Sequence, residues 1–191
     1  MRKAVVILSL LVAAAGLAGA QTVAQAAAPA APADWKATLA QRLPLMGHRN
    51  WILIADSAYP LQVSPGIETI ETNADQADVV RYVLKQIDDS IHVRPEIFMD
   101  AELPFVPDQD APGASDYRKQ IAEVLRGYKV DSELHDKLIA EMGQSGLTFH
   151  VLVLKTNLTV PYTSVFIRLN CKYWPTDAEN RMRARMSAAK P

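Results

Sequence analysis

"GHRNWILIADSAYP", residues 47–60, sets five consecutive apolar residues, Trp51 to Ala55, between a glycine–histidine pair and an aspartate. The apolar run is too short for a helix and is bracketed by Gly47 and Pro60, so it reads as a buried strand. Strands that are apolar at every position belong to sheets covered on both faces, the arrangement of α/β domains. Such sheets expose binding groups at the carboxyl ends of their strands, and Asp56 falls at that position. His48 stands at the strand's entrance. Taken singly, His48 is either a solvated loop residue or a site group, and Asp56 either forms an Asx turn or binds a ligand.

The segments on either side continue the α/β pattern. Asp34 can cap a helix whose apolar positions Trp35, Leu39 and Leu43 recur every four residues, with Pro44 and Gly47 closing it. "IETIET", residues 67–72, reads as a short strand. Val80, Leu84, Ile87 and Ile91 mark an amphipathic helix over 75–92, broken at Arg94-Pro95 before a third strand in "EIFMDA". A proline-rich connection, "LPFVPDQDAPG", follows at 103–113. Tyr117, Ile121, Val124, Leu125 and Tyr128 predict a helix, and Asp131 or Ser132 is expected to start another that stops at Gly143. "LTFHVLVL" (147–154) and "SVFIRLN" (164–170) are the last two strands. Helices alternating with buried strands predict a single layered α/β domain, its mostly buried sheet flanked by helices, over residues 34–174. The basic tail, 175–191, carries Arg181, Arg183 and Arg185 and reads as a solvated helical end.

The amino-terminal end has a different character. Arg2 and Lys3 precede an apolar run that ends at Ala18-Gly19-Ala20, the pattern of a cleaved export leader over residues 1–20, with a second acceptable cut after Ala26. The run falls short of the roughly 20 residues that a spanning helix requires, so no membrane span is expected after cleavage. Residues 21–33 are an Ala/Pro-rich spacer. An exported, periplasmic or secreted bacterial protein is the expectation. Without Arg2 and Lys3 the chain has 18 basic and 21 acidic residues, a net charge of −3 that argues against a nucleic-acid partner. Cys171 is the only cysteine, so no intrachain disulfide can form; it reads as a small core residue.

The chemistry on offer is sparse. The sequence contains no phosphate-cradling glycine loop, no Gly-x-Ser-x-Gly elbow and no Cys-x-x-Cys. The histidines at 48, 92, 135 and 150 include no i, i+4 pair, so neither a metal site nor a cofactor is expected. What remains is His48, Asp56 and the stretch "TVPYTS" at 159–164.

Two motifs carry a resemblance. "MGHRNWILIADSAYP" resembles the opening motif of the D-ribose pyranase and L-fucose mutarotase family, and "LKTNLTVPYTSVFIRL" resembles that family's closing motif, Pro-Tyr-x-Asn before the last strand. The resemblance spans roughly residues 35–170, firm at both ends. It implies that His48 is the catalytic proton donor and that Asp56 and Tyr162 bind the sugar. Ser164 stands where the family has asparagine and is expected to help hold the sugar. A third family position, His or Arg at the start of the penultimate helix, corresponds to His135, with Asp131 as the alternative. The family also implies a homo-oligomeric ring with pockets near subunit contacts. The implied reaction interconverts cyclic forms of a free monosaccharide by acid–base ring opening and reclosure, which needs one acid and one base near neutrality and no covalent nucleophile. The alternative is an exported monosaccharide-binding protein on the same fold, without catalysis.

Overall fold

The protein is described by a computed structural model covering residues 34–189. The leader and the spacer expected from the sequence lie outside the described residues. Asp34 caps α1 (Trp35–Arg42), its Oδ1 accepting from the N–H groups of Lys36 and Ala37 at 3.0 and 3.3 Å. Pro44 then turns the chain through a short 3₁₀ segment, Leu43–Leu45. Next come β1 (Trp51–Ala55), β2 (Ile67–Glu71), α2 (Gln76–Asp89), β3 (Val93–Asp100), α3 (Ala114–Val124) and β4 (Val130–Glu133). The order closes with α4 (His135–Ser145), β5 (Val151–Lys155), β6 (Val165–Cys171) and α5 (Thr176–Ala188).

Six strands form one sheet in the order β2-β5-β1-β6-β3-β4. β1 runs parallel to β5 and antiparallel to β6, and β6 is also antiparallel to β3. β6 is therefore the one reversed strand, and its entrance lies at the edge where the other five strands exit. β1 is central, and all five of its residues are buried, as a strand covered on both faces should be. Ile52, Ile54, Leu152, Leu154, Val165 and Ile167 share one core cluster with Leu39 of α1, Val80, Val83 and Ile87 of α2 and Ile121 of α3. On the other face Trp51, Leu53, Val151, Val153 and Phe166 pack with Leu138 and Met142 of α4. Three helices thus cover one face and one helix the other, which is the layered α/β domain expected.

Several boundaries differ from the expected ones: β5 starts at Val151 rather than at 147, α2 ends at Asp89 and leaves Ile91 exposed, and two differences alter the reading of an element. Val130–Glu133 is an edge strand pairing with β3, where a helix was expected to begin at Asp131 or Ser132. The helix begins at His135, whose backbone N–H donates to both carboxylate oxygens of Glu102 at 3.1 Å. A cap supplied from 33 residues away leaves no local signature. β3 also starts two residues before Pro95. Opposite Pro95 stands Leu169, whose N–H donates to Asn50 O and whose carbonyl accepts from Arg49 N–H, both on the β1 side. No hydrogen bond to β6 is required of Pro95, so the strand passes through it. Cys171 is half-buried at the end of β6 rather than in the core. α5 buries no residue, in keeping with a solvated helical end. Among the described residues no helix is long and apolar enough to cross a membrane.

Candidate functional site

The carboxyl edge of the sheet carries a cavity of about 240 Å³ lined by Asp56, Ala58, Tyr59, Pro60, His135, Pro161 and Tyr162. The polar lining residues come from three parts of the chain, Asp56 and Tyr59 from the loop after β1. Asp56 follows the last residue of β1, and its Oδ1 accepts from the Ala58 N–H at 2.8 Å. Both readings of Asp56 are therefore satisfied at once, since one oxygen shapes the Asx turn while the residue lines the cavity. His135 opens α4, and Tyr162 precedes β6. The two rings meet edge to face, centroids 5.1 Å apart at 83°.

Tyr162 adopts φ 59°, a conformation strained for a bulky side chain. The next residue shows what holds it. The Thr163 carbonyl accepts from Gln76 Nε2 at 2.5 Å and from the Tyr117 hydroxyl at 2.8 Å. Gln76 Nε2 also donates to the Tyr117 oxygen, while its Oε1 accepts from Thr156 Oγ1 at 2.9 Å. The Thr163 hydroxyl donates to Val160 O at 2.8 Å. This buried network ties the turn before β6 to α2, to α3 and to the end of β5. Strain concentrated in a cavity wall and held by its surroundings is typical of binding sites.

Behind the cavity lies Asp100, the last residue of β3, its side chain fully buried. Its Oδ2 is 3.1 Å from His135 Nδ1, within ion-pair distance, although the pair lacks the alignment of a formed hydrogen bond. Burial pushes the Asp100 carboxyl up to about 6, against the opposing pull of His135 and with smaller upward contributions from Glu102 and Asp56. Burial likewise raises the Tyr59 phenol, with Asp100 and Asp56 adding to it. The Tyr59 hydroxyl donates to Gln62 Oε1 at 2.9 Å.

Of the residues singled out in the sequence, Asp56, His135 and Tyr162 come together here. Ser164, expected to hold the sugar, does not line the cavity: it is fully buried behind the Tyr162 turn, its Oγ without a hydrogen-bond partner. It comes one residue before Val165, and Asp100 one residue after Met99, which is Val165's partner across the sheet. Asp131 lies on β4, ion-paired with Lys129 at 2.8 Å, and does not line the cavity, whereas His135 does. His48 is elsewhere. It is exposed in the turn before β1, at the opposite edge of the sheet, eight residues and roughly 25 Å along an extended strand from Asp56. There it lines a separate cavity of about 550 Å³ with Arg49, Cys171, Trp174 and, from α5, Glu179 and Arg183. Sequence reading missed Asp100 and Tyr59. The available signal for Asp100 was its place at the exit of the strand in "IFMDA", the position that drew notice to Asp56. Among the described residues no group of three or more His, Cys, Asp or Glu side chains is arranged to hold a metal ion.

No family model matches the chain, and no curated protein matches it by sequence. Solved structures do match its fold. Bacillus subtilis RbsD complexed with D-ribose aligns with a TM-score of 0.51 and 15% identity, over 70% of this chain and 91% of that one. The fucose mutarotase from Streptococcus pneumoniae in complex with L-fucose gives a TM-score of 0.48 and 17% identity, over 75% and 98% of the two chains. FucU from Bifidobacterium longum gives 0.46 and 16%, over 70% and 94%. The protein has the fold of RbsD, in agreement with the family resemblance of its two motifs.

Proposed function

We propose that the protein is an exported isomerase of the sugar mutarotase or pyranase kind, interconverting cyclic forms of a free monosaccharide. The observation that carries the reading is the convergence of Asp56, His135 and Tyr162 on one cavity. They arrive from three separate parts of the chain at the edge where an α/β sheet binds ligands. At about 240 Å³ the cavity is smaller than the pockets that take drug-sized ligands, as a single sugar ring requires. A carboxylate accepts from sugar hydroxyls, and a tyrosine offers an apolar face with a hydroxyl at its tip. An imidazole can exchange protons near neutrality. Ring opening takes the proton from the anomeric hydroxyl and gives one to the ring oxygen. The open sugar then turns about its C1–C2 bond and recloses.

The acid at the ring oxygen is His48 from a second copy of the chain. His48 is exposed and stands far from its own chain's cavity, so it is free to complete a neighbour's. Leu61 and Val63, on the loop leaving β1 beside the cavity, and Phe105, on the loop leaving β3, are 73%, 92% and 85% exposed. They offer apolar area for such a contact. The same separation favours the second reading, a monosaccharide-binding protein, if the chain works alone.

Co-expression of two damaged chains tests the proposal. His48→Ala and Asp56→Asn should each abolish most of the acceleration of anomer exchange, measured by NMR exchange spectroscopy on a panel of aldoses. Oligomers containing both chains should regain part of it, because some pockets then combine an intact Asp56 with an intact His48. Activity of His48→Ala within about twofold of the parent would remove His48 from the mechanism. Saturable sugar binding without accelerated exchange in the parent would favour the binding protein.

A further inference from the structure

Among the described residues, both oxygens of Asp100 and Nδ1 of His135 are buried without a formed hydrogen bond, and Oδ2 lies 3.1 Å from Nδ1. An ionised carboxylate out of water is costly unless something opposite faces it. Its strand neighbours Ile97, Phe98 and Met99 offer nothing, and the Ser164 hydroxyl across the sheet forms no hydrogen bond with it, which leaves the imidazole. The ring of His135 is met by Asp100 at Nδ1 and edge to face by Tyr162, while Glu102 holds the backbone N–H of the same residue. The His135 side chain keeps 23% exposure although Nδ1 is sealed, so the open edge of the ring is the one that lines the cavity.

A neutral imidazole carries one proton, and its surroundings choose the nitrogen. A carboxylate can only accept. Nδ1 facing Asp100 must then be the N–H, and Nε2 is left with its lone pair towards the cavity.

We propose that Asp100 is the positioning residue that makes His135 a base, holding the proton on Nδ1 so that Nε2 can take the proton of a sugar's anomeric hydroxyl. The role in turnover rests on the isomerase reading; the tautomer does not. In the step, the anomeric O–H bond breaks and its proton passes to Nε2. The oxygen's electron pair forms the C1=O bond as the bond from C1 to the ring oxygen breaks. The ring oxygen takes a proton from the acid, His48 of a second copy, leaving an open-chain aldehyde. His135 is then an imidazolium beside the Asp100 carboxylate, and reclosure returns both protons. Asp56, Glu102 and the hydroxyls of Tyr59 and Tyr117 are the other titratable groups around Asp100.

Long-range proton–nitrogen NMR of the full chain, labelled with ¹⁵N-histidine, reads the tautomer directly at about pH 8, above the usual titration range of imidazole. The expected result is a single Nδ1–H form for His135. In Asp100→Asn that preference should be lost, with the exchange rate constant down by about tenfold or more and KM within about threefold of the parent. A merely structural Asp100 would change melting behaviour and leave the tautomer alone. A proton on Nε2 in the parent overturns the proposal without reliance on any variant. An Asn variant that keeps both the tautomer and the exchange rate overturns it as well. A parent with the Nδ1–H form but no effect on any aldose supports the Asp100 assignment and overturns the isomerase reading instead.

Discussion

Asp100 ends a run of apolar strand residues, and burial raises its carboxyl well above the ordinary aspartate range, to about 6. Unfolded, the group titrates near 4. Between those two values the folded protein binds more protons than the unfolded chain, so stability falls as pH rises through that window, and the full cost stands at neutral pH. Asp100→Asn keeps the shape and removes the charge. It should raise stability by about 1–3 kcal/mol at neutral pH, with the gain vanishing below about pH 4. Urea melts at the two pH values check this, and a variant less stable than its parent at neutral pH would mean that His135 compensates the charge in full. This residue also shows where sequence reading stopped. Asp56 was legible because a histidine, a uniform apolar run and a proline framed it. Asp100 closes a less regular run and looks like a turn former before Ala101-Glu102. Only the chain's return as α4 gives it a partner.

Elements were most legible where their own residues determine them. The apolar periodicity of α2 and the unbroken run of β1 needed no distant information. The start of α4 did, because Glu102 caps it across 33 residues. β4 did too, being a four-residue polar edge strand defined by pairing with β3 alone. Gln76 is a further case. As the first residue of α2 it looks like a surface position, yet it is 1% exposed and serves Tyr117, Thr156 and Thr163 together. Gln76→Leu keeps a side chain of similar size and leaves the Thr163 carbonyl with the Tyr117 hydroxyl alone. Loss of about 1–3 kcal/mol of stability is expected from the lost hydrogen bonds. Sugar affinity should fall as well, although Gln76 does not line the cavity, because the strained Tyr162 turn loses part of its support. Calorimetric unfolding and a sugar titration on one sample measure both, and an unchanged melting temperature would show the network to be dispensable.

At the scale of the whole molecule, the sheet holds His48 and Asp56 at opposite edges, and the sequence could not reveal that this separates them from a common pocket within one chain. A helix or a hairpin between them would have brought them closer; a straight central strand keeps them apart. The protein should therefore have a mass of several chains by light scattering at micromolar concentration, and dilution to the monomer should abolish exchange activity. A monomeric mass with full activity would show that one chain builds the entire site. The placement of β1 has a separate consequence, in time rather than in space. Its two neighbours are β5 and β6, so the most deeply buried strand waits about a hundred residues of synthesis for its first partner and longer for its second. Pairings this distant in sequence close slowly. Until residues 165–171 have emerged, β1 can be flanked on one side at most, and the nascent chain has no finished core to lock. The strand most protected in the finished protein is thus among the last to gain both of its neighbours.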